Sequence, residues 1–229
     1  MIPIEENIKS FDPITLEEMD SVKLMDRRDT KFIFNAQSLP SLLEELTAHY
    51  KILEISNKRG SQYETLYFDT DDFQFYTQHH NGKLNRYKVR FRRYVEVDKT
   101  FLEVKFKSNK ARTIKKRIKR INIKPEFKGR SKDLIEGIIK MNADLLKPKL
   151  WVNYTRITLV QKDFQERVTI DLDLTYKVEE EELKVNNLVI AEVKQGAQTL
   201  NSPIIQFMRN AKIQPLGFSK ILYGNCINV

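Results

Sequence analysis

The sequence predicts an α+β fold: a closed antiparallel β-barrel with helices packed against its outside. Three observations lead there. Long stretches alternate apolar and polar residues with period two, the period of a strand with one buried face. The polar face of these stretches is dense in arginine, lysine and carboxylates. Helical patterns stand before, within and after the strand series, where they can cover its apolar face and leave the charged face turned inward.

Taken in order, Thr15–Asp26 reads as a short helix with Leu16, Met19 and Leu24 on its apolar side, and Asp29–Phe34 as a strand. Ser38–Tyr50 has Leu39, Leu42, Leu43 and Leu46 at helical spacing, with Ser38 as an N-cap ahead of Pro40. The period then changes to two. Tyr63–Asp69, Arg86–Glu96, Phe101–Ser108, Thr113–Ile123, Trp151–Gln161, Gln165–Leu174 and Leu188–Lys194 read as strands, with turns at Asn81-Gly82 and Glu96–Lys99. Ser131–Asn142 reads as a helix inside the series; Ser202–Ala211, with Pro203 in its first turn, and Ser219–Cys226 read as closing helices. The acidic run Glu179–Glu182 reads as a solvated hairpin loop. No linker, repeat or low-complexity tract interrupts the chain, so one domain is expected over residues 1–229.

The charge follows the alternation. In Phe101–Ser108, Leu102, Val104 and Phe106 oppose Glu103, Lys105 and Lys107. In Arg86–Val95, Tyr87, Val89 and Phe91 oppose Arg86, Lys88, Arg90 and Arg92. In Gln165–Leu174, Val168, Ile170, Leu172 and Leu174 oppose Arg167, Thr169, Asp171 and Asp173. Trp151–Gln161 adds Arg156, and Leu188–Lys194 ends with Glu192 and Lys194 on one face. Thr113–Ile123 splits its cations, with Lys115, Arg117 and Lys119 on one side and Lys116 and Arg120 on the other. A half-solvated sheet would show the same alternation. Arginine, suited to bidentate phosphate contacts, favours the enclosed arrangement instead. So many cations on one inward face repel one another unless carboxylates and a polyanion compensate. Glu103, Asp171, Asp173 and Glu192 are the carboxylates of those faces. They either neutralise the arginines or, as oxygen-only ligands, hold a hard cation such as Mg²⁺ or Mn²⁺ together with phosphate oxygens.

Composition agrees with an anionic ligand. The 229 residues carry 40 Lys plus Arg against 31 Asp plus Glu, a net charge of +9. A chain of this size buries roughly 70% of its unfolded surface and needs no disulfide. The one cysteine, Cys226, excludes an internal disulfide and a cysteine zinc cluster. It is compatible with a reducing, cytoplasmic location. Met1–Ser10 lacks a basic start followed by an apolar core, and apolar runs such as Leu188–Ala191 fall far short of the ~20 residues of a membrane span. No Walker loop, G-x-S-x-G elbow or Cys/His pairing occurs, and His49, His79 and His80 lack zinc spacing and read as surface or packing residues. Tyr87, Phe91 and Tyr94 read as packing residues turned away from most of the arginines rather than as base-stacking groups.

Six stretches also resemble a known family. Asp29-Thr-Lys-Phe-Ile-Phe, Leu66-Tyr-Phe-Asp-Thr, Lys88-Val-Arg-Phe-Arg-Arg-Tyr, Phe101-Leu-Glu-Val-Lys-Phe-Lys, Arg167-Val-Thr-Ile-Asp-Leu-Asp and Ala191-Glu-Val-Lys stand in the order of the VTC domain. That is the polyphosphate polymerase domain of the vacuolar transporter chaperone complex, within the CYTH-like triphosphate tunnel metalloenzymes. The resemblance runs from about Asp20 to Tyr223. It implies a triphosphate tunnel of the stand-alone bacterial type, without the regulatory SPX and membrane domains of the eukaryotic complex. The implied activity is metal-dependent transfer of the γ-phosphate of ATP onto polyphosphate, with Mn²⁺ or Mg²⁺. Implied partners are ATP or another nucleoside triphosphate and polyphosphate or phosphate anions, with no nucleic acid; a membrane protein partner stays open.

The resemblance also implies roles. Arg90 and Arg92 match the paired arginines, Lys105 the lysine of the E-x-K strand, and Arg156 and Arg167 the later arginines; these are the catalytic set. Lys31 of the first tunnel strand, Lys88, Lys115, Lys194 and Lys220 of Gly217-Phe-Ser-Lys-Ile would bind phosphate. Glu192, with Glu103, would hold the metal. Hydrolysis of a triphosphate or nucleotide in the same site, or polyphosphate binding without turnover, are the rival expectations.

Overall fold

The alternation that predicts the strands also decides which face each one buries. The computed structural model describes residues 4–21, 27–110, 112–196, 202–221 and 224. Its elements are α1 (Glu5–Lys9), β1 (Asp12–Ile14), α2 (Leu16–Ser21), β2 (Arg27–Asn35), α3 (Leu39–Leu46), β3 (Tyr50–Leu53), β4 (Ser61–Asp69), α4 (Gln74–His80), β5 (Arg86–Tyr94), β6 (Lys99–Lys107), β7 (Thr113–Arg120), α5 (Arg130–Ile139), β8 (Lys147–Gln161), β9 (Glu166–Val178), β10 (Glu181–Val185), β11 (Leu188–Gly196) and α6 (Pro203–Asn210). The expected class, antiparallel β with helices, is the one observed. The chain divides into two compact units, residues 1–62, 154–174 and 185–217 in the first and 63–153, 175–184 and 218–229 in the second. Strands β8 and β9 contribute residues to both.

In the first unit β11 lies between β2 and β9, antiparallel to each. β3 pairs with the C-terminal end of β8 and, in parallel, with β1. Phe32, Phe34, Val168, Ile170, Val189, Ala191 and Val193 point to one side, where Leu39, Leu42, Leu43 and Leu46 of α3 and Ile204 and Met208 of α6 cover them. Removing one of these buried leucines would cost about 2–5 kcal/mol, so the apolar face is fixed toward the helices. The polar positions in between are thereby fixed on the other face.

In the second unit β4, β5, β6 and β7 form an antiparallel series. Leu66, Phe68, Val89, Phe91, Leu102 and Val104 pack with Phe127, and with Ile135 of α5. β7 is paired with β6, and its residues are mostly exposed.

Several boundaries differ from expectation for local reasons. Ser38 makes no capping hydrogen bond; it ends a 3-10 turn, Ala36–Ser38, which Asn35 caps by accepting from the Gln37 amide at 2.9 Å. α2 begins with a reciprocal cap: Glu18 N–H donates to Thr15 Oγ1 at 3.2 Å and Thr15 N–H to Glu18 Oε2 at 2.8 Å. The helix expected to reach Tyr50 stops at Leu46, and β3 starts there instead. The acidic run is split: Glu179, with φ of 51°, and Glu180 turn the chain, while Glu181 and Glu182 open β10. Leu24, expected on the apolar side of the first helix, and Cys226 in the last one lie outside the described residues.

Candidate phosphate-binding clusters

The second unit carries a charged face on β5, β6 and β7. Register sets Arg90 against Glu103 and Glu103 against Arg117; one step along, Lys105 lies between Lys88 and Lys115. Arg90 grips Glu103 Oε2 through Nε at 2.8 Å and Nη2 at 2.6 Å, and donates from Nη1 to the Tyr67 hydroxyl at 3.2 Å. Lys115 pairs with the other oxygen, Oε1. Glu103 is 0% exposed. Burial alone would push its carboxyl up, but Arg90, Arg92 and Lys115 outweigh burial and hold it at about 2. Arg92, 8% exposed, donates to Thr65 Oγ1 at 3.3 Å.

The cations there are in excess, and Lys105 shows it. Burial first, then Arg90, Arg92 and Lys115, push its ammonium down to about 7 despite Glu103. Burial also lowers Lys115. The fully buried Tyr67 hydroxyl is pushed up by desolvation and, more strongly, down by Arg90, Arg92 and Lys220 together. Lys220 thus acts electrostatically on the hydroxyl that Arg90 also touches. Lys88 donates to Ser219 Oγ at 3.0 Å and lies 2.8 Å from His79 Nε2. An ammonium only donates, so this His79 nitrogen accepts and the ring proton belongs on Nδ1.

The first unit has its own charged face, with two carboxylates, Asp171 and Glu192, among its cations. Arg156 holds Asp171 with two bonds, Nε to Oδ1 at 2.6 Å and Nη2 to Oδ2 at 2.8 Å. Glu192 accepts from Lys194 on Oε2 at 2.7 Å, with Lys31 3.4 Å from Oε1. Burial raises the Glu192 carboxyl, but Lys194, Lys31 and Arg156 bring it to about 2. Lys194 is lowered by burial in turn. Arg167 neighbours Lys194 in the register and donates from Nη2 to the Met19 carbonyl at 2.9 Å.

Each expected site residue therefore falls into one of two sets. Lys88, Arg90, Arg92, Glu103, Lys105, Lys115 and Lys220 belong to the second unit; Lys31, Arg156, Arg167, Glu192 and Lys194 belong to the first. Asp173 is different: it takes φ of 52° and is exposed, because the backbone kinks there and its alternation breaks. Sequence alone missed His79 and Ser219, whose roles come from tertiary contact with Lys88. It also misplaced Tyr94. Tyr94 is two residues beyond Arg92 and pairs with Tyr63, so it shares the charged face.

The carboxylates differ in their fitness for a metal. Among the described residues no three His, Cys, Asp or Glu side chains cluster to hold an ion by themselves. Glu103 is enclosed and gives both oxygens to cations, the geometry of a counter-ion. The Glu192 side chain is 21% exposed and its Oε1 has only the longer 3.4 Å lysine contact. It fits a hard divalent cation whose shell is completed by phosphate oxygens and water.

Comparison with known proteins agrees with this architecture. The family model of the VTC domain matches residues 26–229. A provisionally assigned adenylate cyclase from Bacillus halodurans superposes with a TM-score of 0.55 at 14% identity, over 86% of this chain and 96% of its own. A Hippeastrum protein, provisionally an adenylyl cyclase and described as having dominant triphosphatase activity, gives 0.53 at 13%, over 88% and 96%. A provisionally assigned adenylate cyclase from Vibrio parahaemolyticus gives 0.51 at 10%, over 86% and 97%. At these identities the likeness is one of fold. No curated protein sequence matches the chain. No described helix is long and apolar enough to cross a membrane.

Proposed function

Because the chain belongs to the VTC domain family, we propose that it is a metal-dependent phosphotransferase that moves the γ-phosphate of ATP onto the end of a polyphosphate chain. One observation carries the reading. Across β5, β6 and β7, Lys88, Arg90, Arg92, Lys105 and Lys115 share a face whose only carboxylate is the enclosed Glu103. That face lacks negative charge, and a run of phosphates supplies it.

The residues divide the work. Glu103 fixes Arg90 and Lys115, so their remaining donors are pre-aimed rather than ordered at the moment of reaction. In the second unit Arg90 and Arg92 neutralise non-bridging oxygens and Lys88, Lys105, Lys115 and Lys220 hold phosphates; in the first unit Arg156 and Arg167, with Lys31 and Lys194, are the cations suited to the same work. A terminal oxygen of the acceptor polyphosphate bonds to the γ-phosphorus. The bond from that phosphorus to the β–γ bridging oxygen breaks, and ADP leaves with the electron pair. The attacking oxygen is already ionised, so no protein base is needed. Bound at Glu192, Mg²⁺ or Mn²⁺ would supply Lewis-acid polarisation of the phosphates.

Incubation with ATP and Mn²⁺ is expected to give ADP and long-chain polyphosphate on a gel, and Glu192→Ala to abolish the polymer. Free phosphate without polymer would make the protein a hydrolase. No product from wild type, with tight metal-free polyphosphate binding, would make it a binding module.

A further inference from the structure

The charged face of the second unit is graded along its strands. At one end the register brings together three lysines, Lys88, Lys105 and Lys115. The middle holds Arg90, Glu103 and Arg117, and then Arg92. At the far end the same face turns aromatic. Tyr63 pairs with Tyr94, and Phe101 pairs with Arg92. Tyr94 stands at the centre, 5.0 Å from Tyr63 and 5.9 Å from Phe101, ring to ring and edge to face. Arg92 lies over the Tyr63 ring at 5.4 Å, and the exposed Arg117 over Phe101 at 4.7 Å.

These rings are not the unit's core. The core aromatics, Phe68, Phe91 and Phe127, occupy the opposite face of the same strands. Tyr63, Tyr94 and Phe101 are half-buried on the charged side. Three rings, with Tyr94 set edge to face between the other two, and two guanidinium planes make a polarisable aromatic surface adjoining the arginines. Surfaces of this kind stack nucleobases, and they do so with little regard to which base, because every base has a π-face. The spacing also suits a nucleotide: Tyr94 is four residues from Arg90 and six from Lys88, about 14 and 20 Å at the rise of a strand. That interval accommodates a ribose and a row of phosphates.

We propose that Tyr63, Tyr94 and Phe101, with Arg117, form a base-stacking platform that seats the nucleobase of a nucleoside triphosphate whose phosphates lie on Arg92, Arg90 and the lysine row. This rests on the phosphate-binding reading above and adds the end of the face at which the nucleoside lies. It makes the protein tolerant of base identity. The side chains that would meet the base offer ring faces and a guanidinium plane.

The test measures dissociation constants for ATP, GTP, CTP, UTP and inorganic tripolyphosphate by calorimetry, in wild type, Tyr94→Leu and Tyr94→Phe. The four nucleotides are expected within about tenfold of one another. Tyr94→Leu is expected to weaken all four by about 5- to 50-fold relative to its effect on tripolyphosphate, in line with the loss of one stacked ring; Tyr94→Phe is expected to keep the wild-type ratio. Saturation-transfer NMR on wild type should show the base protons, H8 and H2 of ATP, as close to the protein as the ribose protons, a readout independent of any variant's folding. Equal weakening of ATP and tripolyphosphate in Tyr94→Leu, or base protons without transfer, would overturn the platform and leave the phosphate reading standing. Wild type that binds neither ATP nor tripolyphosphate would overturn both.

Discussion

The two units carry the same kinds of side chain on their charged faces but balance them differently. In the first, Arg156 is matched by Asp171, and Lys31 and Lys194 by Glu192. In the second, one carboxylate serves Arg90 and Lys115, and these two cations together with Arg92 press on Lys105. The cost of the imbalance is visible in the ammonium of Lys105, pushed down to about 7. A matched pair stabilises the fold and gives an anion little new to gain. An unmatched cluster is poorly stabilised alone and gains most from a polyanion. On the function proposed above, the second face is the main grip and the first is chiefly a scaffold with one usable carboxylate.

The largest effect that tests this contrast is on stability. Arg156→Ala would take from Asp171, 2% exposed, its bidentate partner, and removing one partner of a buried ion pair costs about 3–5 kcal/mol. Arg90→Ala removes an equally close partner from Glu103, but Lys115 stays on the other oxygen and the crowding of cations is relieved. Its cost is expected to be about half as large. Urea unfolding of the two variants decides the matter. If Arg90→Ala proved as costly as Arg156→Ala, the second cluster would be a structural ion pair like the first.

A smaller effect concerns protons. Lys105 has a folded-state value of about 7, well below the ordinary value near 10.4, because burial and then Arg90, Arg92 and Lys115 disfavour its charge. Between these two pH values the unfolded chain binds more protons than the folded one, so this group's contribution makes the free protein more stable as pH rises through the window. A bound polyanion reverses the disfavour. At pH 8 tripolyphosphate binding is expected to take up to about one proton more in wild type than in Lys105→Met, and at pH 6 the difference should vanish. Calorimetry in buffers of different ionisation enthalpy reads it directly. Equal uptake by the two proteins at pH 8 would show that the second cluster is not short of negative charge.

How much of this was legible in sequence follows the same physics. Strands with one apolar and one charged face, such as Phe101–Ser108, could be placed closely because the period of two has two opposed consequences. α4 escaped, since its start is set by Asp69 accepting from the Phe75 and Tyr76 amides, a tertiary cap no helical period announces. β3 escaped because Tyr50 continues the leucine spacing of α3. At the site, residue types and faces were readable, but pairing was not. Nothing in the spacing shows that Glu103 is fully enclosed while Glu192 keeps some exposure, nor that Ser219 meets a lysine 131 positions earlier. Tyr94 is the instructive exception. Counting two residues from Arg92 puts it on the charged face, and the habit of assigning aromatics to the core hid it.

The smallest effect probes how the unmatched cluster aims its cations. Glu103 holds Arg90 and Lys115, but Lys88 has neutral supports, His79 Nε2 at 2.8 Å and Ser219 Oγ at 3.0 Å. Neutral acceptors orient an ammonium without cancelling its charge, which suits a face short of anions. His79 is therefore a positioning residue. His79→Ala is expected to weaken tripolyphosphate about 3- to 5-fold, the loss of a fraction of one hydrogen bond. His79→Gln, which returns an acceptor oxygen, should recover most of it. Rescue by glutamine separates positioning from packing, because glutamine does not restore the ring. If His79→Gln bound tripolyphosphate as weakly as His79→Ala, the imidazole would be filling space, and the aim of Lys88 would have to come from Ser219 and its other contacts.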